Sequence, residues 1–130
     1  MISVVTPVFN EEEILPEFHR RLTLVLKSLG EPYEIILVND GSRDNSFSLM
    51  KGINGRDSRV KVVSLSRNFG HPMAISAGLA FASGEAAVII DADLQDPPEV
   101  LPEFFKKWQE GYKVVYGVRT KRKEWFGKRF

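Results

Sequence analysis

The sequence predicts an α/β/α sandwich of Rossmann-like type built on a mostly parallel sheet. Apolar, β-branched-rich runs at Ile2 to Thr6, Tyr33 to Val38, Val60 to Leu65, Ala86 to Ile90 and Lys113 to Gly117 alternate with segments long enough for a helix. Connections of that length join parallel strands by right-handed crossovers, and near-continuous apolar strands are the kind covered on both faces. The polar and unusual segments all follow a strand, and this topology gathers them at the carboxyl edge of the sheet.

The first run is closed by Pro7, and Asn10 ahead of Glu11-Glu12-Glu13 reads as Asn-x-x-Glu capping chemistry for a helix. Ile14, Leu15, Phe18, Leu22, Val25, Leu26 and Leu29 follow at helical spacing and stop at Gly30. The second run ends in the turn Asn39-Asp40-Gly41-Ser42, and a short helix is expected from Ser46 to about Gly52, capped near Asp44 or Asn45. After the third run, Pro72 to Ala82 is a helix rich in Ala, Ser and Gly, suited to close packing on a sheet. The fourth run leads into Asp91-Ala92-Asp93-Leu94-Gln95-Asp96-Pro97-Pro98-Glu99. Pro98 to Gln109 then forms a helix with Val100, Leu101, Phe104, Phe105 and Trp108 inward. The fifth run is expected as a further strand, followed by Gly117-Val118-Arg119.

A chain of 130 residues with 43% hydrophobic content forms one domain with a real core. The apolar runs are strand-sized, so none spans a bilayer or reads as a signal peptide. The absence of cysteine excludes disulfides and thiolate metal sites. From Arg119 to Phe130 six basic residues face one acidic residue, interleaved with Trp125, Phe126 and Phe130. Such a tail suits an anionic membrane surface or a solvated helix end.

The strongest chemical signal is Asp91-x-Asp93 at the end of a buried strand. It presents hard oxygen ligands where a divalent cation would grip a diphosphate, and oxygen-only ligands favour Mg²⁺ or Mn²⁺ over zinc. There is neither a dinucleotide fingerprint nor a P-loop, so phosphate charge must be met by a cation or by Arg and Lys. Arg67 is a candidate phosphate contact. Asp40 serves equally to close an Asx-turn, Glu11 and Glu13 serve equally as helix-end charges, and Phe9 as core. His71 before Pro72 reads as a turn or cap residue and His19 lies on a charged helix face; neither is given chemistry.

The strings Thr6-Pro7-Val8-Phe9-Asn10-Glu11-Glu12, Val38-Asn39-Asp40-Gly41-Ser42-Arg43-Asp44, Asp91 to Glu99 and Gly117-Val118-Arg119 resemble glycosyltransferase family 2. The similarity is to its polyprenyl-phosphate branch, which includes dolichol-phosphate mannosyltransferases and undecaprenyl-phosphate sugar transferases; the string from Asp91 to Glu99 is its branch-specific part. The resemblance implies a GT-A type fold and assigns the nucleotide to Pro7, Phe9, Glu11, Val38 and Asp40, with Asp40 near the base. It assigns the diphosphate, metal and donor sugar to Asp91, Ala92, Asp93 and Gln95, with Asp93 the preferred metal ligand and Asp91 beside it. Arg119 matches a basic position that helps hold donor or lipid phosphate, completing a catalytic set of Asp91, Asp93 and Arg119.

The implied activity is metal-dependent, inverting transfer of a sugar from a UDP- or GDP-linked donor to a polyprenyl phosphate at the cytoplasmic face of the membrane. Branch members are usually longer, so residues 1–130 are expected to be a single donor-binding domain, itself soluble, truncated on its acceptor side and reaching the membrane through a C-terminal region it lacks. No nucleic acid is expected as a partner, and a homo-oligomer is compatible with the reading. The alternatives are a family 2 enzyme with a saccharide hydroxyl acceptor and a non-catalytic nucleotide-sugar-binding module. A nucleotidyltransferase would need a Gly-rich basic loop where Pro7 to Glu11 is acidic. A phospho-acceptor domain modified at Asp40 fits poorly with Asp-x-Asp after the fourth strand.

Overall fold

The computed structural model describes residues 1–116 and 126–129. Four strands, β1 (Ile2–Val8), β2 (Tyr33–Asn39), β3 (Val60–Ser64) and β4 (Ala86–Ile89), form a wholly parallel sheet in the order β3-β2-β1-β4. Helices α1 (Leu15–Ser28), α2 (Ser46–Arg56), α3 (His71–Ala80) and α4 (Leu101–Gln109) alternate with them, and a 3₁₀ turn at Pro98–Val100 leads into α4. The predicted α/β sandwich is the observed one.

Alternation along the strands divides the core in two. Ile2, Val4 and Val8 of β1 and Ile35 and Leu37 of β2 meet Phe18, Leu22 and Leu26 of α1, Met50 and Ile53 of α2, and Leu101 of α4. On the other face Val5, Ile36 and Val38 pack against Ala74 of α3. This sidedness follows from right-handed crossovers. The chain moves one way through β1, β2 and β3, keeping α1 and α2 on one face, then reverses to β4 and carries α3 to the other. The reversal leaves a crevice between the carboxyl ends of β1 and β4, where open sheets of this type bind ligands.

α3 lies close on the sheet because Gly78 has no side chain. A Cβ there would sit well inside van der Waals contact of Val5 Cγ1 and 3.0 Å from Val38 Cγ2. At the amino edge of the same face, Glu34 is nearly buried and accepts hydrogen bonds from Ser3 Oγ and the Ser83 backbone N–H, each at 2.6 Å, while Lys61 Nζ lies 2.6 Å away. Gly84 N–H donates to Ser3 Oγ at 2.8 Å, so the turn between α3 and β4 is tied to the start of β1.

Three expectations are corrected. Asn10 does not cap α1: it adopts a left-handed backbone (φ 53) and its Oδ1 accepts the Arg43 N–H at 2.8 Å, so α1 begins later, at Leu15. α2 runs through Gly52 and Gly55 to Arg56, because burial of Met50 and Ile53 outweighs the helix-weakening glycines. β5 (Tyr112–Tyr116) does not join the parallel sheet; it pairs antiparallel with β6 (Phe126–Arg129) in a separate two-stranded sheet. A strand's own apolar pattern does not encode its partner, and the turn at Gly111 (φ 99) redirects the chain straight out of α4. Arg119, Trp125 and Phe130 lie outside the described residues.

Candidate donor site

Loops leaving β1, β2, β3 and β4 converge on one cleft of about 400 Å³ at the crevice. Its lining includes Pro7, Phe9, Glu11, Asp40, Asp91, Ala92 and Asp93, all singled out from the sequence, together with Val8, Asn68, Gly70 and His71. Val38 does not line it: the residue pairs in register with Pro7, but its side chain is fully buried under α3. Gln95 lies beyond the lining, where its backbone N–H donates to Asp93 Oδ1 at 3.0 Å. Arg67 is not among the lining residues either; its guanidinium stacks over the Phe69 ring, 4.6 Å from the centroid.

Glu11 is held by a lattice between the first two loops. Its N–H donates to Ser46 Oγ at 2.9 Å, the Glu12 N–H to Asp44 Oδ2 at 3.2 Å and the Asn10 N–H to Ser42 Oγ at 3.0 Å. Asp44 in turn accepts the Ser46 N–H at 2.9 Å, and the Asn45 N–H donates back to Glu12 Oε2 at 3.3 Å. Phe9 escapes the core and is 42% exposed where it lines the cleft. That is the exposure an aromatic needs to offer a stacking surface.

Asp40 is almost fully buried, and its carboxylate is committed to the third loop. Oδ1 accepts the Phe69 N–H at 2.8 Å and Oδ2 the Gly70 N–H at 3.2 Å; Asn68 Nδ2 bridges the Asp40 carbonyl at 3.1 Å and Oδ2 at 3.3 Å. The tight approach depends on Gly41 (φ 70), where a Cβ would collide with the Arg67 and Asn68 backbone. From the same loop His71 Nε2 lies 2.7 Å from Asp91 Oδ1. Asn68 and Gly70 received no role from the sequence and His71 only that of a turn or cap residue, although the loop after the third strand was placed at this edge by topology. A His before Pro reads as a helix start, which it also is, and its partner lies twenty positions away.

Four carboxylates line the cleft and no Lys or Arg does so among the described residues. Burial, followed by the negative charges of Asp93, Asp44 and Asp91, raises the pKa of Glu11 above the ordinary carboxylate value. Such a field repels an anion such as a diphosphate and favours a cation beside it. Among the described residues no three metal-ligating side chains are grouped as a complete cage. Mg²⁺ and Mn²⁺ in phosphate sites are commonly held by one or two carboxylates plus phosphate oxygens and water, which Asp91 and Asp93 fit.

The profile described as Glycosyl transferase family 2 matches residues 3–129. An uncharacterized glycosyltransferase of Bacillus subtilis (strain 168), YkcC, is 53% identical over 121 residues, covering 93% of this chain and 38% of the relative. The uncharacterized glycosyltransferase sll0501 of Synechocystis sp. is 47% identical over 121 residues, with the same coverage of 93% and 38%. The chain thus spans well under half the length of these relatives. Among solved structures, mannosyltransferase PcManGT from Pyrobaculum calidifontis, in complex with GDP-Man and Mn²⁺, shares the fold. It superposes with a TM-score of 0.73 at 23% identity over 93% of this chain and 36% of its own. S. aureus TarS 1-349 in complex with UDP gives a TM-score of 0.57 at 25% identity over 78% of this chain and 32% of its own.

Proposed function

The chain belongs to glycosyl transferase family 2, and from that membership we propose that it forms the donor-binding part of a metal-dependent, inverting glycosyltransferase. The observation that carries the proposal is the acidic cleft at the sheet's crevice, where Glu11, Asp40, Asp91 and Asp93 meet without a lining Lys or Arg among the described residues. The donor is a nucleoside-diphosphate sugar, a reading supported by a structural neighbour with bound GDP-Man and Mn²⁺ and another with UDP. The acceptor is a polyprenyl phosphate, undecaprenyl or dolichyl, at the cytoplasmic face of the membrane; the string from Asp91 to Glu99 supports this branch.

Each residue then has a task. Phe9 presents its ring to the base, and Pro7, Glu11 and Asp40 form the wall that the nucleoside meets. Asp91 and Asp93 would hold Mg²⁺ or Mn²⁺ against the diphosphate. That cation would neutralise the charge that grows on the departing nucleoside diphosphate. A phosphate acceptor is already ionised at neutral pH, so the enzyme's work is positioning and electrostatics and no strong general base is required. Val38, buried under α3, supports the sheet beside Pro7 rather than meeting the ligand, and Gln95 acts through the turn that holds Asp93. Arg119, outside the described residues, is assigned by sequence position to the phosphates.

Among the described residues no helix is long and apolar enough to cross a membrane. We assign membrane association and the acceptor side to the part of the relatives' length that this chain does not cover. The test is calorimetric titration with UDP and GDP, each with and without Mn²⁺, on the parent chain and Asp93→Asn. Metal-dependent binding of one nucleotide, weakened at least about tenfold by Asp93→Asn, is the expected result. Metal-independent binding that the variant leaves untouched would instead make the chain a metal-free binding module.

A further inference from the structure

The two carboxylates of Asp91-x-Asp93 are fixed by different means. Asp93 is held by its own turn, through the Gln95 N–H. Asp91 is half-exposed, and nothing in its own loop holds it; its Oδ1 meets only His71 Nε2, at 2.7 Å, and Oδ2 takes no partner among the described residues. His71 is itself firmly placed. It is the first residue of α3, followed by Pro72 and preceded by Gly70 at φ 102, whose N–H is held by Asp40. A line of hydrogen bonds therefore runs from the end of β2, through the loop after β3, to the carboxylate after β4.

We infer that His71 is a positioning residue that orients Asp91 for the cation accompanying the donor diphosphate. The inference rests on the donor-site reading above. An ionised carboxylate only accepts, so Nε2 carries the proton and donates it. An imidazole lacks the permanent positive charge of Lys or Arg, which would compete with a cation at the same oxygens. Hydrogen-bonding partners of metal-binding side chains are typically worth 10- to 100-fold in metal affinity.

The test uses this chain, with Mn²⁺ titrated at fixed UDP or GDP, for His71→Ala, His71→Gln, Asp91→Asn and the His71→Ala/Asp91→Asn pair. Expected are a loss of about tenfold in apparent Mn²⁺ affinity for His71→Ala and retention within about threefold for His71→Gln, whose amide can donate to the same oxygen. In the Asp91→Asn background His71→Ala should add nothing, because both act through one contact. The ¹⁵N spectrum of the His71 imidazole gives a readout independent of ligand: an Nε2-protonated ring, altered by Asp91→Asn. If the parent chain takes no nucleoside diphosphate with or without Mn²⁺, the donor-site reading falls and this assignment with it. If it does, and His71→Ala leaves the Mn²⁺ dependence unchanged or multiplies with Asp91→Asn, the assignment alone falls.

Discussion

At the residue scale, Asp40 and Gly41 show how one turn serves the whole cleft. Asp40 spends its carboxylate on the Phe69 and Gly70 N–H groups, and Gly41 permits the approach by carrying no Cβ where the Asn68 backbone passes. Gly41→Ala is strained by its left-handed φ and by that collision, and should destabilise the fold by about 1–3 kcal/mol and weaken nucleotide binding. Urea unfolding beside calorimetry checks it, and an unchanged midpoint would show that the loop does not need this contact. Asp91 and Asp93 stood out in the sequence because acidic side chains just after an apolar strand have few structural reasons to cluster, whereas Asp40 read equally as a turn residue and its carboxylate does hold a loop. His71 was not, since the property that matters is a partner on another loop.

At the element scale, α3 is seated by the absence of a side chain at Gly78. Gly78→Ala would drive a methyl group into Val5 and Val38, both fully buried. The expected cost is about 1–3 kcal/mol, seen as a lowered thermal midpoint, and a neutral result would mean that α3 shifts freely on the sheet. The Ala, Ser and Gly content of this helix announced its close packing, just as the apolar runs announced β1 to β4. What remained hidden were contacts made at a distance. Asn10 has the right chemistry for a helix cap, yet Arg43 N–H takes its oxygen. β5 has the right composition for the parallel sheet, yet its ladder belongs to β6.

At the scale of the whole molecule, buried and partnered carboxylates set the response to acid. Glu34 is raised by burial, but hydrogen bonds from Lys61, Ser3 and Ser83 outweigh this and hold its pKa below the ordinary value. Asp57 follows the same pattern, with burial opposed by the Arg59 N–H and His19. A group whose pKa is depressed on folding contributes stability above its unfolded pKa and loses it as pH falls through the folded one. The denaturation midpoint should therefore be flat near neutrality and fall below about pH 4. Glu34→Gln should flatten that acid limb while lowering stability at pH 7; an identical acid slope in the variant would remove Glu34 from the account.

The strand order carries a consequence for synthesis. β1 is made before β2, β3 and β4, yet it lies inside the sheet, with Ile2 beside Tyr33 on one edge and Ala86 on the other. As the chain leaves the ribosome, one edge of β1 closes as soon as β2 emerges. The other stays open, displaying unpaired N–H and C=O groups, until β4 has been translated. Such a delay leaves the nascent chain exposed to wrong pairing, and it makes the α3–β4 turn, tied through Gly84 to Ser3, the point at which the newborn sheet is sealed.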